Sequence, residues 1–418
     1  MPAATEPTTP DFDLVLVGAD IGVYALARAF HEQYGTISTV VSRQVTGPVD
    51  GSAFIVGHVV GADAQDEQLV AKLVELAQAR SIDRPTLLLG NADWIIQMFS
   101  DHLEQLEQHY LLPILSAETL AAVSDKAEFA QICEQAGIAT PRTITVDFAA
   151  ADQPGFSTPR VHLEFPVVAK AARSSAYAHV EFEGKRKVFT FDSQDELDAM
   201  FTNLLGSGYR DRFVVQELIP GDDTAMRSIT AYCDRHGHVT MLGGAQVLLE
   251  EHTPVAMGNP AAMFTCDLGT MFDQALEFLR RTDYRGFANF DVKVDPRDGV
   301  GKFLEVNPRI GRNNYYMTAA GLNVSQFVVR DQVLNEEVEP QRLNREILYS
   351  IVPTPMLMHY ITDPALKRRV KRIAHRITVH PLRAAGEGFR RKAYLLAATL
   401  NQVKKFATYY PKPTSTGF

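Results

Sequence analysis

The sequence predicts an α/β domain with a parallel sheet at the N-terminus, an α+β region of mostly antiparallel sheets after it, and a basic helical tail. Three observations carry this. Short apolar runs alternate with amphipathic stretches over roughly the first 115 residues, the pattern of βαβ units. From Phe165 onward the texture turns to strand-like runs with turns between them. From Pro340 to Phe418 fifteen Lys and Arg stand against three acids, Glu346, Asp363 and Glu387, a local net of +12 in a chain of net −9. The rest of the chain therefore carries −21, so its last segment either seeks anions or offsets the acidic body.

In order, Asp13 to Val17 is an apolar run closed by Gly18, and an amphipathic stretch follows from Val23 to Tyr34. Ser38 to Ser42, Phe54 to Val59 and Thr86 to Leu89 are further strands, with helical patterns at Glu67 to Arg80 and Trp94 to Glu107. The dinucleotide fingerprint fails, because Asp20 and Val23 stand where glycines are required. Ser124 to Gly137 reads as a helix stopped by its glycine. Phe165 to Lys170, Val188 to Phe191, Phe213 to Glu217, Met226 to Cys233 and Val239 to Leu249 read as strands, with helices at Asp195 to Leu205 and Met271 to Arg281. Tyr315 to Val333 is helical and leads into the tail.

At 418 residues the chain has room for two or three domains. With 46% hydrophobic and 22% charged residues it is no disordered scaffold, collagen-like chain or disulfide miniprotein. Cys133, Cys233 and Cys266 form no CxxC, which excludes a zinc ribbon and points to a reducing compartment. Met1 to Asp13 is polar and proline-rich, unlike a signal peptide, and no apolar run reaches the roughly 18 residues of a membrane span. The expectation is a cytoplasmic protein.

The chemistry concentrates in Gly286-Phe-Ala-Asn-Phe-Asp-Val-Lys293 and Phe303-Leu-Glu-Val-Asn-Pro-Arg309. Alternate residues of a strand share a face, so Glu305 and Asn307 lie together beside Asp291 on the neighbouring strand. Two carboxylates and an amide oxygen suit Mg²⁺, which takes its other ligands from water and phosphate. The alternative is a hairpin with a solvated charged face. Arg309, one step further along, offers a bidentate fork to a carboxylate or phosphoryl oxygen. Lys170 closes an apolar strand, where a buried ammonium requires an anion unless it reaches solvent. Lys126 sits in the first turn of its helix against the dipole, which a bound anion would explain. Gln216-Glu-Leu-Ile-Pro-Gly221 is a strand stopped by proline, leaving backbone groups at Glu217, Leu218 and Ile219 for an adenine edge, or forming a plain turn. Asp222 and Asp223 follow, placed for ribose hydroxyls. Glu183 to Lys187 is a basic turn, and Glu250 to Asn259 a long loop suited to a lid.

Taken in order, these elements resemble the ATP-grasp superfamily, and several stretches resemble its D-aspartate ligase group. The matching segments are Gly22 to Arg28, Phe182 to Lys187, Ile219 to Asp223 with Arg227, Gly286 to Lys293, and Gly311-Arg312; together they span about Asp13 to Asn335. The resemblance implies residues 13–115 as a pre-ATP-grasp domain and 116–335 as ATP-grasp, with a small nucleotide-clamping part (140–218) and a large metal-binding part (219–335). Residues 1–12 are expected to be disordered and 336–418 to be the tail. It implies ATP and Mg²⁺, in two ions with Mn²⁺ as an alternative. Lys126 and Lys170 would contact phosphates, with Ser174 and Ser175 covering them in place of the missing loop glycines. Gln216 to Ile219 would hold adenine, Asp222 or Asp223 the ribose, and Asp291, Glu305 and Asn307 the metal. Arg309 would steady the transferring phosphoryl group, and Arg227 and Arg312 would supply further anion binding where Asn289 replaces an arginine of some relatives. The implied activity is an ADP-forming carboxylate–amine ligase working through an acyl phosphate, adding a D-aspartate-like amino acid to a peptidoglycan precursor amine. A non-catalytic nucleotide sensor, or a ligase of another peptide or metabolite, is the alternative. Nucleic acid is excluded by the acidic balance. Leu366, Val370, Ile373 and Ile377 lie on one cationic helix, and a second stretch, Phe389 to Phe406, also carries cationic ends; the tail leaves open peripheral contact with the inner face of a membrane, binding of an anionic nucleotide-sugar or lipid-linked precursor, or packing against the body or a sister subunit.

Overall fold

The computed structural model describes residues 10–81, 84–173, 177, 180–254 and 256–414. Strands β1 (Asp13–Val17), β2 (Ser38–Ser42), β3 (Ile55–Val59) and β4 (Thr86–Gly90) form a parallel sheet in the order β3-β2-β1-β4. Crossover helices such as Ile21–Tyr34 and Asp66–Gln78 cover it, as parallel connections require. Asp20 caps the first of these helices, accepting from the Gly22 and Val23 N–H groups. The helix N-terminus is thus satisfied by the chain itself, in accord with the failed dinucleotide fingerprint.

A small antiparallel sheet follows, built from β5 (Thr143–Asp147), β6 (Val167–Ala171), β7 (Phe189–Phe191) and β8 (Arg212–Glu217) in the order β5-β8-β6-β7. Strand β5 has no counterpart in the sequence reading: Thr143-Ile-Thr-Val-Asp147 alternates over only five residues, holds two apolar side chains and buries just Val146. The predicted helix from Ser124 to Gly137 is present as Lys126–Gln135, capped by the buried Asp125 carboxylate, which also meets Arg212 at 2.7 Å; a separate helix, Ala117–Ser124, precedes it and was not predicted.

The large sheet runs β13-β12-β9-β10-β11-β15-β16, with β9 (Met226–Cys233), β10 (Val239–Glu250), β11 (Pro260–Thr265), β12 (Gly286–Val294) and β13 (Gly301–Asn307). Its last strands, β15 (Leu348–Ser350) and β16 (Thr378–Val379), together with the short β14 (Gln341–Arg342) on β10, come from the segment predicted to be a helical tail. That segment is part of the body. Val370 and Ile373 of helix Pro364–Arg376 are in the core, so the face proposed for a membrane is already covered. The final helix, Phe389–Tyr409, buries Arg391 and Phe406. Glu387 just before it accepts from Tyr24 Oη at 2.8 Å and Ser52 Oγ at 2.9 Å in the first domain.

Candidate active site

Register on the large sheet places the site. Asp291 lies opposite Glu305 and Asn289 opposite Asn307, with Ser228 and Thr230 beside them on β9. A bulge lets Val292 pair with Phe303, skipping Leu304. The extra residue changes the parity of β13, so Phe303 joins Phe290, Val292 and Val306 in the core while Glu305 and Asn307 stay on the polar face. Asn289 anchors that face by accepting from Thr230 Oγ1 at 3.0 Å.

Asn307 donates to Asp291 Oδ2 at 3.0 Å, and its own oxygen accepts from Arg309 at 3.1 Å. Arg309 Nε reaches across to Asp93 of the first domain at 3.0 Å, a partner no motif in the sequence announced. From the other side Lys126 Nζ stands 3.3 Å and Lys170 Nζ 4.0 Å from the same oxygen, Glu305 Oε2. The anion that Lys126 required against its helix dipole is therefore the Glu305 carboxylate. Burial pushes the Lys170 ammonium down to about 8, against the opposing pull of Glu305. Asp291 is raised to about 7, first by burial and then by the facing Glu305. Glu305 itself is held well below the ordinary carboxylate range: burial opposes its charge, but Lys126, Lys170 and Lys187 outweigh it.

This donor set fits a divalent cation. Two carboxylates face each other, and only one of them has been given ammonium partners. A metal beside Asp291 would supply the missing positive charge. Among the described residues no group of three or more His, Cys, Asp or Glu side chains is placed to hold a metal, so the set is two carboxylates and an amide, completed from water and substrate oxygens.

The predicted hinge is only partly available. Glu217 N–H donates to Arg142 O at 3.0 Å, and its carboxylate accepts from Arg142 N–H at 3.0 Å, so this residue ties β8 to the start of β5 rather than facing a ligand. Gln216 is held by Thr143 Oγ1 at 2.9 Å. Leu218 and Ile219 make no backbone hydrogen bond to any described residue. Asp222 uses Oδ1 on Thr224, and its Oδ2 accepts no hydrogen bond from a described residue. Asp223 corrects the ribose expectation: it is buried, accepting from Glu250 N–H at 2.9 Å with His252 Nε2 at 3.0 Å, and so fastens the hinge to the loop predicted as a lid. That loop is pinned further by Glu251, 2.6 Å from Arg312. Arg312 also faces Asp20 at 3.3 Å, so its charge is already matched by two acids at the junction of the domains, which removes it as a free anion ligand. Arg227 is a second correction. It pairs with Val292 and Gln246, which puts it on the reverse face of the sheet from Asp291. Ser174 and Ser175 lie outside the described residues.

No protein-family model matches the chain. Over 328 residues, 78% of this chain and 78% of the other, it is 32% identical to the D-aspartate ligase of Enterococcus faecium (strain Aus0004). Solved structures share the fold at low identity. The biotin carboxylase domain of Hydrogenobacter thermophilus 2-oxoglutarate carboxylase, in complex with MgADP, gives a TM-score of 0.59 at 14% identity, covering 81% of this chain and 74% of that one. An ADP complex of N5-carboxyaminoimidazole ribonucleotide synthetase gives 0.55 at 14%, covering 89% and 88%. The L-amino acid ligase from Bacillus licheniformis gives 0.53 at 16%, covering 78% and 75%. An identity of this size over most of both chains, on this fold, settles the relationship: the chain belongs to the D-aspartate ligase family of the ATP-grasp superfamily, ADP-forming ligases that make C–N bonds.

Proposed function

We propose that this protein uses ATP to activate the carboxylate of a D-aspartate-like amino acid and joins it to the side-chain amine of a peptidoglycan precursor. One observation carries the reading. Lysines from a helix and from the small sheet converge on one carboxylate of the large sheet, beside a second carboxylate, Asp291, that forms no ion pair with a described residue and feels Arg309 from further away. A triphosphate lying between the sheets would take over those lysines. Leu218 and Ile219 then offer free backbone to an adenine edge, and Asp222 its Oδ2 to the ribose. Asp291, Glu305 and Asn307 would hold Mg²⁺, as two ions or with Mn²⁺ in its place; when bound, the metal neutralises charge on the phosphoryl oxygens.

Carboxylates do not acylate amines in water, because the leaving oxygen is poor. In the proposed reaction a carboxylate oxygen of the amino acid attacks the γ-phosphorus and ADP departs. The amine then attacks the acyl carbon, inorganic phosphate leaves with that oxygen, and the amine gives up a proton. Lys126 and Lys170 supply positive charge where negative charge builds on the oxygens of the transferring group. Arg309 holds Asn307 in place and directs its remaining N–H donors at the phosphoryl group and the incoming carboxylate. The Glu251–Arg312–Asp20 chain keeps the first domain against the loop, which shields the acyl phosphate from water.

The test is phosphate release from MgATP across free amino acids, both aspartate enantiomers included, with and without a muropeptide amine. Turnover requiring D-aspartate and the acceptor together, and lost in Asp291→Ala and Glu305→Ala, is the expected result. Turnover with a different acid would keep the chemistry and sink the substrate assignment.

Peripheral membrane contact is proposed through the second of the two cationic stretches, since the apolar face of the first is covered. On Phe389–Tyr409, Phe389 (84% exposed), Leu396 (63%), Leu400 (60%) and Val403 (40%) fall along one face, with Arg390, Lys392 and Lys404 exposed on the same helix. Apolar residues among cations match an anionic bilayer surface. No helix among the described residues is long and apolar enough to cross a membrane. Sedimentation with phosphatidylglycerol vesicles should fall in Leu396→Asp/Leu400→Asp, and unchanged sedimentation would remove the idea.

A further inference from the structure

Behind the large sheet, on the face opposite Asp291 and Glu305, lies a second cleft of about 830 Å³. Strand alternation puts Arg227 there, across from Gln246 and Val292, while Ser228 and Asp291 point the other way. Its floor is apolar, made by Leu268, Met271 and Leu343. Four arginines line it: Arg227, Arg342, Arg345 and Arg369.

Only two carboxylates share the cleft with them, and each is taken. Asp267 pairs with Arg342, and Glu346 accepts from Arg369 at 2.9 Å. Those two guanidinium groups are also fixed in orientation, Arg342 lying 4.1 Å over the Phe272 ring and Arg369 4.6 Å over Phe264. Among the described residues, Arg227 and Arg345 pair with no acid. Arg227 donates Nη1 to the Thr224 and Met226 carbonyls, at 2.8 and 2.9 Å, and its Nε and Nη2 meet no described residue. The Arg345 side chain has no hydrogen-bond or ion-pair partner among the described residues. In a chain of net −9, a cleft whose lining nets +2 is built against the prevailing charge. Burial also weighs on the Arg227 charge, and the neighbouring Arg369 adds to it, a burden a bound anion would offset.

We propose that this cleft is an anion site for an organic diphosphate, with the phosphates forked by Arg227 and Arg345 and the organic part resting on Leu268, Met271 and Leu343. Planar guanidinium groups recognise phosphoryl oxygens in pairs of hydrogen bonds, and a pocket of this size accommodates a ligand as large as a nucleotide. The site stands on its own geometry and does not depend on which amine the ligase uses. Two sources carry this chemistry, the adenine nucleotide released by the ligase and a uridine diphosphate group on an acceptor.

The experiment is calorimetric titration of the full chain with UDP, ADP and inorganic pyrophosphate, after saturating the catalytic site with Mg²⁺ and a non-hydrolysable ATP analogue. One further equivalent should bind, with Kd raised at least about tenfold in Arg345→Ala and in Arg227→Gln and unchanged in Lys170→Met. Arg345 is exposed, so its variant keeps the test decisive if Arg227→Gln fails to fold. Tighter UDP than ADP would assign the site to an acceptor, and the reverse to product feedback. No binding of any of the three below about 1 mM, or binding indifferent to both arginines, would overturn the proposal.

Discussion

Removing Arg391 tests whether the C-terminal segment is part of the body rather than an appended arm. Its side chain is 4% exposed and that of Glu387 is 5% exposed, with Nε 3.6 Å from Oε1. Arg391→Met keeps the length of the stem and the space between Tyr24 and Tyr394 filled. It deletes bonds to the Gly47 and Asp50 carbonyls at 2.7 and 2.9 Å, and leaves Glu387 buried with only neutral donors. Breaking a buried pair from one side costs about 3–5 kcal/mol. Two features move the expectation within that range. The guanidinium lies 4.7 Å over the Tyr24 ring, a contact that is lost as well. Against this, Arg391 Nε and Nη2 are buried without hydrogen-bond partners, and their removal returns part of the loss. We expect about 3 kcal/mol. Urea unfolding of the full chain, followed by the fluorescence of Trp94, reads it directly, and Glu387→Gln/Arg391→Met should recover about 1–2 kcal/mol of the sum of the single losses. A single variant within about 0.5 kcal/mol of wild type, the usual range of surface changes, would refute the reasoning.

Other outcomes follow from the same geometry. Lys170→Met should lower kcat/KM for ATP by about 10²–10³ without unfolding the chain, since its charge opposes the transferring phosphoryl group; steady-state kinetics with a thermal melt separates the two effects. Gly22→Ala would place a methyl on the Asn91 amide and 2.9 Å from the Arg312 Cα, between the first domain and the large one. A cost of about 1–3 kcal/mol is expected, because backbone stands on one side and cannot rotate away. His380 should make stability fall in mild acid. Its ring is pushed down to about 4, by burial first and then by Arg383 and Arg28, and Nδ1 accepts from Leu382 N–H at 3.2 Å. Between about pH 6.5 and 4 the unfolded chain binds a proton that the folded one refuses, so stability declines as pH falls, by at most about 3 kcal/mol. The melting temperature of His380→Gln should vary less across that window, and equal slopes would discard the assignment.

What the sequence made legible was what local pattern and side-chain chemistry dictate. Short strand-like runs closed by glycines and turns revealed β1, β9 and β10, and the spacing of Asp291, Glu305 and Asn307 revealed a shared face. Lys126 and Lys170 were read as needing an anion, and both stand at Glu305. The C-terminal segment was misread because an amphipathic helix looks the same whether its apolar stripe meets lipid or protein. Leu348 to Ser350 adds a short strand whose partner, β11, lies more than eighty residues earlier, so no local signal could mark it.

The arginines fail for a sharper reason. Residue type says that Arg227 and Arg312 can hold anions; it does not say which face of a strand they occupy or which acids reach them. For Arg312 the answer comes from Asp20, nearly three hundred residues earlier in the chain, and from Glu251, 61 residues earlier. For Arg227 it comes from register alone. Ser228 opposite Asp291 fixes the parity of β9, and one residue of slip would have turned Arg227 into the catalytic cleft and Ser228 out of it. The same parity that removes Arg227 from the chemistry delivers it, unpaired, to the second cleft. A basic residue excluded from an active site by register still has its charge to satisfy, and the place where register leaves it is where a further ligand should be sought.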